Sequence, residues 1–126
     1  MRENIDSYKQ LRVYQNAMNS AMDIYHLSKE FPREERYSLT DQVRRSSRSV
    51  CANIAEAWRN RRYQAAFIAK LSDALSEASE TQVWIDFSLR CGYVGTSVAD
   101  RLDQHYNVIL SQLVVMTQKS SDWLIS

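Results

Sequence analysis

The chain has 126 residues, of which 44% are hydrophobic and 25% charged, and these values are typical of one soluble globular domain. It contains only two glycines and one proline. Because sheet folds need many tight turns, which glycine and proline favour, this scarcity excludes most β architectures and indicates long helices. The net charge is only +1, so no overall basic field points to a polyanionic partner.

The N-terminal segment MRENIDSYKQ is polar and lacks the apolar centre of a signal peptide. No stretch approaches the ~18 apolar residues of a membrane span. Cys51 and Cys91 lie far apart and lack the spacing of metal ligands. We therefore expect a cytoplasmic protein without a membrane segment, whose two thiols are reduced and buried.

The first helix is predicted over residues 7–30, where apolar residues recur every three or four positions. This helix is predicted to end before Pro32, because the residue before a proline is pushed out of the helical region. The second helix is predicted over residues 37–60, with Ser38 or Thr40 as its N-cap.

The second helix has two contrasting faces. Its apolar residues fall within about 60° of one another and include Leu39, Val43, Val50, Ile54 and Ala57. Arginines occupy the opposite side: Arg44, Arg48 and Arg59, with Arg45 beside them. From Arg33 to Arg62, eight arginines accompany four acidic residues, a local charge of +4. The apolar face requires partner helices, and the arginine face suits water, carboxylates or phosphates.

The third helix, predicted over residues 63–91, carries two apolar surfaces. One is a regular core stripe from Phe67 to Leu89. The other contains Val83, Trp84 and Phe87, which a helix buried on one side does not need. We interpret these three residues as an oligomer interface; a core stripe that wraps around the helix is the alternative.

The fourth helix is predicted over residues 96–123, with Thr96 or Ser97 as its N-cap and Gly92 as a left-handed cap on the helix before it. Three short connections make each helix antiparallel to the next. The sequence therefore predicts an all-α protein, an antiparallel up-down-up-down four-helix bundle forming one domain over residues 1–126.

Residues for catalysis are scarce. His26 and His105 lack a second ligand at helical metal-site spacing, and His105 lies near the core stripe of the fourth helix. No Glu-x-x-His pair, glycine-rich phosphate loop or histidine next to the serine run at 46–49 is present. We expect no catalytic residue, no metal, no cofactor and no enzymatic activity.

Asn53 lies at the edge of the apolar stripe of the second helix, and Glu56 borders its arginine face. A buried amide must be hydrogen-bonded, and such an asparagine often fixes helix register. We therefore interpret Asn53 and Glu56 as structural polar residues. Ligand binding by Asn53 is the alternative.

Nucleic-acid binding is the leading functional hypothesis. The residues predicted to contact phosphates of RNA or DNA are Arg44, Arg45, Arg48, Arg59, Arg61 and Arg62. The neighbouring Trp58 and Tyr63 could stack on unpaired bases. The alternative is a protein-interaction module, without nucleic acid, in which the arginines form intersubunit ion pairs with Asp73, Glu77 or Glu80. A small-molecule binder is a third class, supported by little beyond Asn53.

The order of motifs resembles the 23S rRNA intervening-sequence protein family. The matching residues are Phe31-Pro32, then Glu35, Tyr37 and Leu39, then Gln42, Arg44 and Arg45, then Asn53-Ile54-Ala55-Glu56, and later Cys91-Gly92-Tyr93. Ala57 stands where the family usually has glycine. The resemblance covers nearly the whole chain.

This resemblance implies a small bacterial cytosolic protein, an antiparallel bundle and a ring-shaped homo-oligomer, a pentamer. The family is also similar to accessory proteins of diversity-generating retroelements, which engage nucleic acid and a reverse transcriptase. No catalytic activity comes with the resemblance.

Overall fold

A computed structural model describes residues 4–125 of the chain; residues 1–3, which begin the polar N-terminal segment, and residue 126 lie outside that range. Within the described range the protein is all-α, without a strand. Its four helices are α1 (Arg12–Ser28), α2 (Leu39–Arg59), α3 (Gln64–Arg90) and α4 (Thr96–Gln118). Single 3-10 turns occur at Tyr8–Gln10, Arg33–Glu35 and Ser120–Asp122.

The helices form the predicted bundle. α2 packs against α1 and α3, and α4 closes the bundle by packing against α3 and α1. The largest fully buried side chains are Tyr106, Phe67 and Ile54, contributed by three different helices. Burying each such side chain contributes about 1.5–3 kcal/mol. The all-α four-helix fold predicted from the sequence is thereby confirmed.

The first helix begins later than predicted. Ser7 caps a single 3-10 turn, because its hydroxyl accepts a hydrogen bond from the Lys9 amide at 3.2 Å and the Gln10 side chain bonds back to the Ser7 amide. Leu11 is then extended and buries its side chain in the core. This local capping box separates residues 7–10 from α1, which runs from Arg12 to Ser28.

The predicted caps are only partly correct. Ser38 precedes α2, but its side chain does not cap the helix, and the alternative cap Thr40 lies inside α2. Instead, a carboxylate oxygen of Glu35 accepts a hydrogen bond from the Leu39 amide at 3.3 Å. α4 begins after Gly95 without a side-chain cap from Thr96 or Ser97, and it ends at Gln118, before the predicted residue 123.

Gly92 ends α3 as predicted. Its φ of +79° is in the left-handed region, which side chains with a Cβ rarely adopt. The Gly92 amide donates to the Leu89 carbonyl at 3.0 Å, and the Tyr93 amide to the Ser88 carbonyl at 2.9 Å. This Schellman motif turns the chain sharply and places Tyr93 beside the connection between α1 and α2.

Small residues allow α2 and α3 to approach closely. Ser46 and Ser47 are buried in α2. The hydroxyls of Ser46 and Thr81, on facing helices, lie within hydrogen-bond distance at 2.8 Å, and the Thr81 hydroxyl also lies 2.8 Å from the Glu77 carbonyl. The serines therefore have a packing role.

Candidate nucleic-acid interface

The six arginines predicted to contact nucleic acid form two groups at opposite ends of α2. Arg44, Arg45 and Arg48 lie in its first half, whereas Arg59 is its last residue and Arg61 and Arg62 follow it. At 1.5 Å per residue, Arg44 and Arg59 are about 22 Å apart along the axis. The arginines therefore do not form one continuous site.

The first group belongs to a groove that we call the basic groove. It has a volume of about 480 Å³ and lies between the end of α1, the 3-10 turn at Arg33–Glu35 and the start of α2. Its lining residues are Ser28, Lys29, Phe31, Pro32, Arg33, Arg36, Thr40, Asp41, Arg44, Arg45 and Arg48. Six cationic side chains thus meet a single carboxylate, that of Asp41.

Three of these cations were not predicted as site residues. Arg33 and Arg36 belong to the segment of local charge +4, so this local excess of positive charge could have identified them as site residues. Lys29 directly follows α1 and reaches the groove only because the chain turns at Pro32. Its contribution depends on how α1 and α2 pack, which the sequence pattern does not show.

The ring of Tyr25 organises the cations at the α1 side of the groove. The Lys29 ammonium lies 4.6 Å from the ring centroid, and the guanidinium groups of Arg44 and Arg48 lie 5.2 Å and 5.9 Å from it. Each such cation–π contact contributes about 0.5–1 kcal/mol at an exposed site. The ring therefore gathers these cations without neutralising them.

Arg44 is fixed further by a hydrogen bond. Its Nε donates to the buried hydroxyl of Ser28 at 2.7 Å, and that hydroxyl donates to the Tyr25 carbonyl at 3.1 Å. Because Nε is occupied, the two terminal nitrogens of the guanidinium are left to bind an anion in the groove.

The one carboxylate in the groove neutralises little of this charge. Asp41 lies 3.9 Å from Arg45, whose side chain is 73% exposed. Exposed pairs of this kind contribute about 0–1 kcal/mol. Asp41 also lies in the first turn of α2, where a negative charge is favourable next to the helix dipole.

Glu35 and Tyr93 hold the turn that carries Arg33 and Arg36. The Glu35 carboxylate accepts hydrogen bonds from the Ser38 hydroxyl at 2.6 Å and the Tyr93 hydroxyl at 2.7 Å. These bonds lower the pKa of Glu35, the Ser38 bond most, and the bond to Glu35 raises the pKa of Tyr93 to about 12. The turn is thereby tied to the α3–α4 connection.

The second group of arginines has a different environment. The Arg61 guanidinium lies 3.3 Å from the centroid of a Trp58 ring, and its Nε donates to the Trp58 carbonyl at 2.8 Å. Trp58 is buried, so the suggestion that it stacks on bases is wrong. Tyr63, Arg59 and Arg62 are exposed, and their contact with nucleic acid stays a prediction.

The two structural polar residues differ in role. The Asn53 amide donates to the Ser49 carbonyl and lies 3.1 Å from the Ser49 hydroxyl, both in its own helix. Asn53 therefore does not fix the register between helices of this chain, because its partner is one turn away. Glu56 does connect two helices, since its carboxylate lies 3.2 Å from the Lys70 ammonium of α3.

Two acidic residues of α3, Asp73 and Glu80, bind other partners within the chain. Asp73 lies 3.7 Å from the Lys70 ammonium, and Glu80 accepts a hydrogen bond from the Trp84 indole at 3.1 Å. Among the described residues, neither pairs with an α2 arginine. The alternative in which α2 arginines pair with α3 carboxylates therefore concerns ion pairs between subunits.

The second apolar surface of α3 is exposed in the single chain. Val83 is 49% and Phe87 51% exposed, whereas Trp84 is half-buried and its ring lies 5.8 Å from that of Phe87. Tyr37 is also exposed, and it lines a hollow with Trp84 and Phe87. The core does not wrap around to cover this face.

One expectation about a single residue is wrong. Cys51 is buried, which raises the pKa of its thiol to about 11, but Cys91 is exposed because it lies at the Gly92 turn. His105 lies near the core stripe of α4 but is exposed in the single chain, where it faces a hollow lined by Asn16 and Asp23. Between residues 4 and 125, no group of three metal-ligating side chains occurs, and no helix has the length and hydropathy to span a membrane.

The fold and the groove define a four-helix-bundle protein with a basic groove at one end of α2. Its sequence matches the family model described as 23S rRNA-intervening sequence protein over residues 9–115. The chain therefore belongs to that family, as its motifs indicated.

A solved structure supports the same fold. The chain is similar to a crystal structure of a protein with unknown function from the S23 ribosomal protein family of Bacteroides thetaiotaomicron. The two are 29% identical, with a TM-score of 0.76, and the match covers 84% of this chain and 95% of that one. No curated protein matches the chain.

Proposed function

We propose that this protein is a non-enzymatic bundle that binds RNA or DNA phosphates in the basic groove and assembles into a homo-oligomer through α3. The observation that carries the first part is the convergence of six cations on one groove with a single carboxylate. Such an arrangement carries a self-repulsion that a polyanion removes.

RNA is the first ligand to test, because the family description refers to an intervening sequence of 23S rRNA. Retention of a labelled RNA hairpin on filters should weaken steeply as salt rises, since each neutralised phosphate releases counterions. The hairpin and its DNA counterpart should be compared between 50 and 200 mM salt.

The double variant Arg44→Ala/Arg48→Ala tests the groove directly. Removing two phosphate contacts should reduce the slope of log affinity against log salt by about 1.5–2. Arg59→Ala/Arg62→Ala is the matched control, because it removes the same charge from the other end of α2. Equal losses in both variants would show that binding follows total charge and not the groove.

Self-association is supported by the exposed face of α3. Phe87→Glu should reduce the mass measured by light scattering to that of a monomer, because a carboxylate would be buried in the interface. Phe87 is preferred to Trp84, which also packs on the core. Val108→Glu on α4, at a position of the same exposure, is the control. An unchanged mass for Phe87→Glu would show that this face of α3 is not the interface.

The scaffold alternative predicts a different result for Arg44→Ala/Arg48→Ala. If these arginines pair with Asp73, Glu77 or Glu80 of another copy, the variant should dissociate. An intact oligomer that has lost RNA would favour the nucleic-acid proposal. Assembly with a reverse transcriptase is implied by the resemblance alone.

A further inference from the structure

A second hollow lies between α1 and α4, away from the basic groove, and the proposed function does not use it. It has a volume of about 280 Å³, and we call it the α1–α4 hollow. Two amides, a hydroxyl, a carboxylate, an imidazole and one apolar side chain surround this space. These lining residues are Asn16, Asn19, Ser20, Asp23, His105 and Val108.

Ser20 is the most deeply buried residue of the hollow. It is only 2% exposed, yet its hydroxyl makes no hydrogen bond within the described residues. Other helical serines bond back to a carbonyl of the preceding turn, as Ser28 and Ser88 do. Unlike the fully covered, unpaired hydroxyls of Thr40 and Tyr106, the Ser20 hydroxyl keeps accessible surface, and Ser20 lines the hollow. Because buried polar side chains are nearly always paired, this hydroxyl is available to a ligand.

The charged group of the hollow is also available. Asp23 forms no ion pair within residues 4–125. It follows Ser20 by three positions and Asn19 by four, so the three side chains are neighbours on one face of α1. That face is directed toward α4, because burial, Cys51 and Asp23, in this order, raise the pKa of Tyr106. A carboxylate and two neutral oxygens therefore lie together at one end of the hollow.

From this arrangement we infer that the α1–α4 hollow binds a primary alkylammonium group. The Asp23 carboxylate balances the charge, and the Ser20 hydroxyl and the side-chain carbonyl of Asn19 accept further hydrogen bonds. A primary ammonium has three N–H donors and no acceptor, so it matches three acceptors from neighbouring positions. The half-exposed side chain of Val108 borders the hollow and packs on the methylene groups next to the nitrogen.

Other ions fit the hollow less well. The described residues contain no group of three metal-ligating side chains, which a tightly bound metal ion needs. A guanidinium bonds in a planar fork to both oxygens of one carboxylate and leaves Ser20 and Asn19 unused. An anion would lie against the Asp23 carboxylate. The hollow therefore selects for N–H donors as well as for positive charge.

The test is a titration of the ¹⁵N-labelled full chain with butylammonium chloride at constant ionic strength. We expect saturable amide chemical shifts in residues 16–23 and 105–108, with a dissociation constant on the order of millimolar. Two probes should bind at least about tenfold more weakly. These are 1-butanol, which lacks the charge, and butyltrimethylammonium, which keeps the charge without N–H donors. No saturable shift with butylammonium, or equal binding of butyltrimethylammonium, would overturn the inference.

Two variants test the individual groups. Ser20→Ala removes a hydroxyl without a partner in the folded chain, so the fold is kept, and the affinity should fall about tenfold. Asp23→Asn keeps the shape and removes the charge, so binding should become undetectable. Asp100→Asn is the matched control, because Asp100 is exposed on α4 and lies outside the hollow. Wild-type affinity in Ser20→Ala would refute the role of the hydroxyl, and wild-type affinity in Asp23→Asn would refute the site.

Two sources provide this chemistry: a free alkylamine and a lysine side chain of another protein. 1,4-Diaminobutane and Nα-acetyllysine amide should both compete with butylammonium, and the tighter of the two identifies the source. No competition by either would overturn the inference. None of these measurements needs RNA, so this inference and the proposed function can fail independently.

Discussion

Replacing Tyr25 with leucine removes the ring shared by Lys29, Arg44 and Arg48 and leaves the charge of the basic groove unchanged. The Ser28–Tyr25 hydrogen bond survives, because it uses the backbone carbonyl of Tyr25. The perturbation is therefore a loss of positioning alone. It separates the arrangement of the cations from their number.

The expected magnitude follows from the contacts. Arg44 and Arg48 lose an aromatic surface at 5.2 Å and 5.9 Å. Each freed side chain must then be ordered on binding, at about 0.5–1.5 kcal/mol. For two side chains the RNA affinity should therefore fall by about 1–3 kcal/mol, or roughly five- to 150-fold.

The assay is the salt dependence of hairpin binding. Because Tyr25→Leu removes no cation, the slope of log affinity against log salt should match that of the wild-type protein. Tyr63→Leu is the control, since Tyr63 is exposed beside the other arginine group. An unchanged affinity, or a slope reduced as in Arg44→Ala/Arg48→Ala, would show that the ring does not organise the groove.

Further predictions concern stability. Gly92→Ala should cost about 1–2 kcal/mol in urea unfolding, because φ is +79° at Gly92. Gly95→Ala, in open space at φ −81°, should cost clearly less, because it loses only the N-cap preference for glycine over alanine; equal effects would contradict the backbone argument. Since hydrogen bonds lower the pKa of Glu35, its contribution is present above the unfolded-state pKa near 4.5 and is lost as pH falls through the lower folded-state value. The wild-type protein should therefore lose more Tm than Glu35→Gln between pH 6 and 3, and parallel curves would refute the clamp. Ile54→Ala, at a fully buried site, should cost about 2–5 kcal/mol, and a smaller loss would indicate a collapsible core.

Much of the site was predictable one helix at a time. The local charge of +4, the two apolar surfaces of α3 and the cap at Gly92 each depend on neighbours within a few turns, and each is present as expected. The cap of α2 was not predictable in this way: the sequence suggested Ser38 or Thr40, whereas the Leu39 amide bonds to Glu35, in the turn before the helix.

Whether a side chain is buried or exposed was harder to predict where it depends on a neighbouring segment. Trp58 lies beside an arginine-rich stretch, but Arg61 covers its ring. His105 lies near a core stripe, yet the rotation of α4 in the bundle leaves it exposed. Helical spacing fixes the relative direction of side chains on one helix and does not fix which direction faces a partner.

The sequence by itself determined four amphipathic helices, their antiparallel order and the family, because periodicity, turn residues and motifs are local properties. Only the tertiary structure decided that Lys29, Arg33 and Arg36 join Arg44, Arg45 and Arg48 in one groove. The physical reason is that a groove arises from the packing of α1 against α2 around Pro32, and the charges on separate segments converge only when that packing is formed.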